Sequence, residues 1–469
     1  MEDLVQSSTT SQKPPSPRKR ARKPKPERHR WFDQWRGAKG EPLKQLVALA
    51  TGAVEKAERD AGERQRARRQ HDHAMHLTRV EVVVANLAHA VLLPPETGRL
   101  AVRLGNRRSG MSRYDNPALG SKPFRKLIYL LDGAGFLAFQ YAEVKRGEVS
   151  SLVPSPWFAA KVAEYGISLC DLGRHPGEEV IMLTRNTRSW TGMGERTTIR
   201  ERIDYTDTAE TRRYRQEMRR LNTFLASAEI GFSEDSLEPR VDPFERTMRR
   251  HFVVLPDQPE QFDQVGRLFG GFWLALKSAR RRNIRINGEP VADLDFSSMF
   301  TRLALARLGA EAPTGDVYAV EGAEGYRSGI KMAMNTFLFD THLRRSKWPD
   351  EMGVGVGTDE DARDPTSPAA DYEGRLPTGW KVGLTRKAIL KRHPALRPAW
   401  GRGLGYQLMF DESRVLLTAL NRLMAEGIPA LGMHDGLLVQ RSKKDLAKVT
   451  MQDAAREIAG MDIPVEEKG

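Results

Sequence analysis

The chain has 469 residues, with 75 Lys and Arg against 61 Asp and Glu and a single cysteine. That length accommodates two or three domains, and a formal net charge of +14 attracts polyanions, nucleic acid before anionic membrane. The lone Cys170 excludes an internal disulfide and a cysteine-based zinc site, and no apolar run approaches the roughly 20 residues of a membrane span. A cytoplasmic protein with no membrane partner is the expectation.

In chain order, residues 1–40 are expected to be a disordered basic tail. Pro14, Pro15, Pro17, Pro24 and Pro26 flank the string Arg18, Lys19, Arg20, Arg22, Lys23 and Lys25, which has too little apolar surface to offset ordering entropy. A nucleic-acid-binding arm and a solubilising tail both suit it. Residues 41–175 read as a helical and winged-helix-like DNA-binding domain. It holds a charged helical stretch over 41–76, an apolar helix over 80–92, and a helix capped by Ser121 with Phe124, Leu127, Ile128, Leu130 and Leu131 on its apolar face. Strands follow at 136–141 and 149–153, with a wing tip at Lys145, Arg146, Gly147 and Glu148. Ser155 then caps another helix with Pro156 at its first position. In this reading the Ser121 helix enters a groove with Lys122, Arg125 and Lys126 near phosphates; a subdomain that binds no DNA is the alternative. Residues 176–260 are expected to be a helical region, because Arg212, Tyr214, Met218, Leu221 and Phe224 fall at helical spacing. A structural spacer and a duplex-gripping element fit it equally.

Residues 261–469 carry the chemistry. Asn287-Gly288 is a strong hairpin signal between strand-like segments. The second strand carries Asp293 and Asp295, and an apolar helix starts directly after it. A carboxylate there suits a divalent cation or, more commonly, a helix cap. Far downstream, an apolar-periodic helix over 412–425 precedes a strand at 428–433, then His434-Asp435-Gly436, then a strand at 437–440. An aspartate at the tip of a buried hairpin needs a metal or strong hydrogen-bond partners. Ser442 and Asp445 are expected to form a capping box for the last helix. Between the two acidic sites, Arg327, Lys331, Asn335 and Phe339 recur every fourth residue on one helix face. Cations, an amide and a ring in that order suit a nucleotide, and a solvated basic face suits the same spacing.

The order of these motifs resembles the A–B–C series of family A DNA polymerases and the phage-type single-subunit RNA polymerases. Asp295-Phe296-Ser297 with Arg302 resembles motif A, Arg327 and Lys331 with Phe339 resemble the fingers helix, and His434-Asp435 resembles motif C. The wording is closer still to poorly described bacterial and mobile-element proteins with the same compact core. They share a Gly-Gly-aromatic stretch (Gly270-Gly271-Phe272-Trp273 here), an Ile-Asn-Gly-Glu hairpin (286–289), Asp-aromatic-Ser and His-Asp. The resemblance covers about residues 245–460.

It implies an α+β right-hand polymerase: an antiparallel palm sheet, helical fingers at about 320–400, and a helical thumb-like region in 176–260, preceded by the winged-helix-like domain. Two Mg²⁺ (or Mn²⁺) ions would be held by Asp295, Asp435 and the Phe296 carbonyl. Arg327 and Lys331 would bind the triphosphate, Lys331 also acting as the acid for the leaving group. Asn335, Phe339 and Phe300 would face the nucleotide, with Arg302 near DNA. His434 would position the primer end, a packing role being the alternative. DNA template, primer and nucleoside triphosphates are the implied partners.

Departures from the family are Phe300 where a glutamate is usual, Gly436 after motif C, Asp340 where a glycine is usual, and a long Gly/Asp-rich loop over 341–380. Phe300 and Phe339 lean towards deoxynucleotides. Nothing resembles a proofreading exonuclease. The expected activity is therefore a DNA polymerase without editing that replicates a mobile element. A primer-independent primase or small RNA polymerase, an inactive DNA-binding replication initiator, and a Mg²⁺-dependent nuclease are the rivals.

Overall fold

The computed structural model describes residues 29–104, 111–142, 148–190, 196–341, 348 and 375–468. The basic string within 18–25, the wing-tip residues Lys145, Arg146 and Gly147, and the acidic loop 353–364 lie outside them. The described chain is mixed α and β, and its buried apolar residues collect around two main cores.

The amino-terminal core includes Leu43, Leu46, Val84, Leu87, Phe124, Ile128 and Phe158. Helices Glu41–Asp60, Gln70–Leu92, Ser121–Gly133 and Pro156–Glu164 pack around it. Beside them lies a four-stranded sheet in the order Arg30–Trp31, Leu100–Ala101, Ser151–Pro154, Leu137–Gln140. The helix and hairpin expected after Ser121 are present, with Leu137 opposite Pro154 and Gln140 opposite Ser151. Ser155 caps as expected, its Oγ accepting from the Phe158 N–H at 3.0 Å.

Several expectations need correcting. Ser121 is the first helical residue, after Gly120 at the cap. The 41–76 stretch is two helices, separated by a turn at Ala61-Gly62. The basic tail ends sooner than residue 40. Trp31, Phe32 and Trp35 supply apolar surface, so Arg30–Trp31 and Arg36–Ala38 pair as strands with Leu100–Ala101 and Leu172–Arg174.

Residues 176–260 also differ from the helical expectation. They hold one long helix, Ala209–Ser227, and three strands of a second four-stranded sheet. Its order is Val265–Gly270, Met248–Val254, Ile181–Trp190, Arg196–Arg202, with the middle pair parallel. The runs Ile181-Met182-Leu183 and Phe252-Val253-Val254 are buried on both faces, a strand signature masked by the arginines around them.

The third sheet runs Ala430–Met433, Gly436–Gln440, Glu289–Phe296, Ile284–Ile286, Ile230–Phe232, and Val465–Lys468 also pairs with Glu289–Phe296. Asn287 and Gly288 both take positive φ (49° and 76°), the requirement of a tight two-residue hairpin turn. Helices Gly405–Ala425, Lys444–Ala459 and Met299–Arg307 cover the sheet, burying Leu416, Leu420, Met451 and Leu303. The expected capping box does not form. Ser442 sits in a 3₁₀ turn and its hydroxyl donates to Glu289 Oε1 at 3.1 Å, fastening the turn to the hairpin.

Candidate active site

Two β-strands set the acidic centre. Antiparallel pairing places Asp295 opposite Gly436, and the Phe296 N–H donates to the Asp435 carbonyl at 2.9 Å. Asp435 lies in the turn of the Ala430–Gln440 hairpin, so both carboxylates project from one end of the sheet. Their charges are close enough to act on each other. The pair depends on Gly436. A Cβ there would meet the Leu294 carbonyl oxygen at 2.2 Å and Asp295 Oδ1 at 2.9 Å, so any side chain would part the strands.

Burial and then the neighbouring Asp435 charge raise the Asp295 carboxyl to about 7, opposed by Lys468. Lys468 Nζ lies 2.9 Å from Asp295 Oδ2, delivered by the Val465–Lys468 strand, in which Glu466 lies opposite Asp295 and Lys468 opposite Asp293. Asp293, half-buried on the same strand, is also raised, chiefly by burial. Asp295 does not cap the following helix. Ser298 precedes Met299–Arg307 in a left-handed conformation, and no side chain caps that end.

A third carboxylate stands behind the pair. Glu412, on Gly405–Ala425, is 1% exposed and accepts from Arg267 Nε at 2.6 Å. Burial outweighs the guanidinium and pushes it up to about 8, with Asp435 and Asp295 adding to the rise. Burial and then Arg267 depress His434 to about 4, which leaves the imidazole neutral at pH 7. Its ring packs on Phe269 at 5.6 Å, and its buried Nδ1 has no hydrogen-bond partner.

The Arg327–Phe339 helix meets the centre by its carboxyl end. Phe339 stacks on Phe300 at 5.6 Å, five residues beyond Asp295, and stands edge-on to Tyr406 at 5.3 Å. Arg267 lies over the Phe300 ring at 5.5 Å. The fourfold spacing leaves Arg327 and Lys331 exposed and Asn335 half-buried, with its Oδ1 unpartnered. Arg327 Nε donates to Asp316 Oδ2 at 2.8 Å, and at 1.5 Å per residue it stands about 18 Å along the helix from Phe339. Arg302 is half-buried, its Nε without a partner.

In the amino-terminal half, Lys122 is exposed. Arg125 donates to the Leu104 carbonyl. Lys126 bridges Glu58 at 3.3 Å and Glu63 at 2.8 Å, which already commits this expected phosphate contact to carboxylates.

The donor set fits a hard divalent cation. Two half-buried carboxylates repel each other, Asp295 Oδ1 is buried without a partner, and an ammonium group already neutralises Oδ2. Among the described residues no three His, Cys, Asp or Glu side chains are grouped to hold a metal. Mg²⁺ commonly completes its shell with water and substrate phosphates around one or two carboxylates.

Glu412, Arg267 and Lys468 escaped sequence reasoning. Only the helical phase of Glu412 among Leu408, Val415 and Leu416, which turns a charge inward, marks one of them beforehand. No helix among the described residues is long and apolar enough to cross a membrane. No protein-family model and no curated protein sequence matches the chain.

Proposed function

We propose that the chain is a template-directed nucleotidyltransferase, acting most simply as a DNA polymerase without proofreading, with Asp295 and Asp435 as its catalytic carboxylates. The observation that carries this is the acidic pair: two carboxylates held together against their own repulsion at the end of paired strands. Such an arrangement costs stability unless a cation repays it when substrate binds.

The reaction forms a bond from a 3′-oxygen to the α-phosphorus and releases pyrophosphate. Mg²⁺ held by Asp295, Asp435 and the Phe296 carbonyl would lower the pKa of the 3′-hydroxyl and neutralise the leaving group. The chain's own residues supply position and charge. Lys331 is exposed on the helix that reaches the centre, free to meet a triphosphate and to protonate pyrophosphate. Arg327 reaches the same phosphates by exchanging Asp316 for them, an exchange of one charged acceptor for another. The Phe300–Phe339 stack gives the sugar and base an apolar wall, with Asn335 one turn before Phe339. Neutral His434 beside Asp435 would orient the primer end. The Ser121–Gly133 helix and its hairpin are read as a winged helix offering Lys122 to DNA, with Arg302 nearer the centre.

The test is incorporation of labelled dNTPs or NTPs on primed and unprimed single-stranded DNA with Mg²⁺, run beside the Asp295→Ala, Asp435→Ala double variant. Primer extension with dNTPs, abolished in the variant, is the expected result. Products from unprimed template would make the protein a primase. No incorporation under any condition would overturn the enzymatic reading.

A further inference from the structure

We infer that the groove between helices Ala209–Ser227 and Gly405–Ala425 is a second nucleic-acid surface that grips the phosphate backbone of a duplex away from the acidic pair. The groove is open, about 680 Å³ in volume, and no acidic side chain lines it. Outside the groove the two helices are tied together by Asn421 Nδ2 donating to Glu217 Oε1 at 2.7 Å.

Four arginines line it, and they are not equivalent. Arg215 is spent on Glu179 and Asp207, at 3.0 and 2.7 Å. Arg212 donates only to the backbone carbonyls of Thr208 and Asp207, so its charge is not neutralised. Arg219 and Arg220 are exposed and form no ion pair among the described residues. Three exposed guanidinium charges without a carboxylate partner on one groove attract a polyanion.

Spacing selects the occupant. Positions 212, 216, 219 and 223 advance by four, three and four residues and therefore share one helix face, which offers Arg, Gln, Arg and Thr donors in line. Arg212 and Arg219 are seven residues apart, about 10.5 Å along the axis at 1.5 Å per residue. A duplex strand presents a continuous row of phosphates that donors in line along one helix face can follow. The ring lining the groove, Phe224, is half-buried, so no exposed aromatic platform favours stacked single-stranded bases.

Position separates this surface from the catalytic one. Met424 and Ala425 form the groove's other wall, while Glu412 of the same helix stands behind Asp435 and Asp295. Twelve helical residues from Glu412 to Met424 amount to about 18 Å. The inference does not rest on nucleotidyl transfer, because a duplex bound here is bound whether or not the acidic pair turns over.

The test measures binding of a fluorescent 20-base-pair duplex by the full chain across a range of salt concentrations. Arg219→Ala, Arg220→Ala is compared with the charge-matched Arg441→Ala, Lys443→Ala. Each lost phosphate contact lowers the slope of log affinity against log salt by about 0.9, so the groove variant should lose about 1.8 and bind more weakly. The matched variant should keep its slope. Thermal melting of both variants should stay at the wild-type value, since all four side chains are exposed; a groove variant that melts early is replaced by Arg219→Gln, Arg220→Gln and judged by the same slope. Equal slopes in wild type and groove variant overturn the inference, as does an equal loss in the matched variant. Loss of binding to phosphatidylserine vesicles with duplex binding intact also overturns it, assigning the groove to a membrane surface.

Discussion

Asp295→Asn should stabilise the folded protein in the absence of metal, and the gain should grow with pH. Asp295 is raised from an ordinary 3.8 to about 7. The sign follows from which state binds the proton more tightly. The folded chain does, so the stability linked to a protonated Asp295 is complete below pH 3.8 and is lost as pH rises to about 7. An asparagine has the shape of the protonated acid and no titration. At about 1.4 kcal/mol per pH unit, the advantage of the variant is about 1 kcal/mol at pH 4.5 and on the order of 4 kcal/mol at pH 8, level above pH 7. Lys468 contributes little to the difference, because its side chain is 47% exposed and can return to water. The assay is urea unfolding of both proteins at pH 4.5, 6 and 8 in EDTA. Mg²⁺ is then added at pH 8, where it should stabilise wild type by about 2.7 kcal/mol at a hundredfold excess over its dissociation constant and leave the variant unmoved. A variant equal to or weaker than wild type at pH 8, or a gap that ignores pH, would refute the account of the acidic pair.

Three further outcomes follow from named contacts. Gly436→Ala should cost about 1–3 kcal/mol and remove turnover, read by melting and incorporation, because its Cβ meets the Leu294 carbonyl oxygen at 2.2 Å. Glu412→Ala strands Arg267 in a mostly buried position and should destabilise the chain by about 3 kcal/mol in chemical denaturation; a loss under 1 kcal/mol would show that Arg267 finds water. Phe300→Ala opens the wall formed with Phe339 and should shift the ratio of ribonucleotide to deoxynucleotide use upward by about tenfold in competition assays. An unchanged ratio would remove Phe300 from sugar discrimination.

How far these elements were legible depends on how local their cause is. Asn287-Gly288 announces its hairpin because two consecutive left-handed residues are written in the residue types themselves. The strand ending at Phe296 and the hairpin holding His434-Asp435 are legible because their apolar runs are bounded by a helix start and a glycine. Lys468 on Asp295 is not legible, since it depends on strand pairing across more than 170 residues. Glu412 with Arg267 hides in the same way, being an ion pair between a helix and a strand 145 residues apart. The strands within 176–260 were obscured because arginines interrupt them at spacings that also suit a helix. Their assignment was decided by Met248–Val254 lying parallel to Ile181–Trp190, which only the folded chain expresses.

The neighbours of Glu289–Phe296 also bear on the timescale of folding. One flank pairs with Gly436–Gln440 and the end of the other, beyond the local Ile284–Ile286 hairpin, with Val465–Lys468, both delivered after more than 130 intervening residues. Closing loops of that length costs entropy before any ladder bond is made, and such non-local pairing slows folding. Until the downstream segments arrive, Val291, Leu294 and Phe296 line a strand with open edges, the kind of surface that recruits another chain. Production of this protein should therefore be limited by aggregation of an intermediate, and slower synthesis at lower temperature should raise the soluble yield more than any stabilising change in the amino-terminal core.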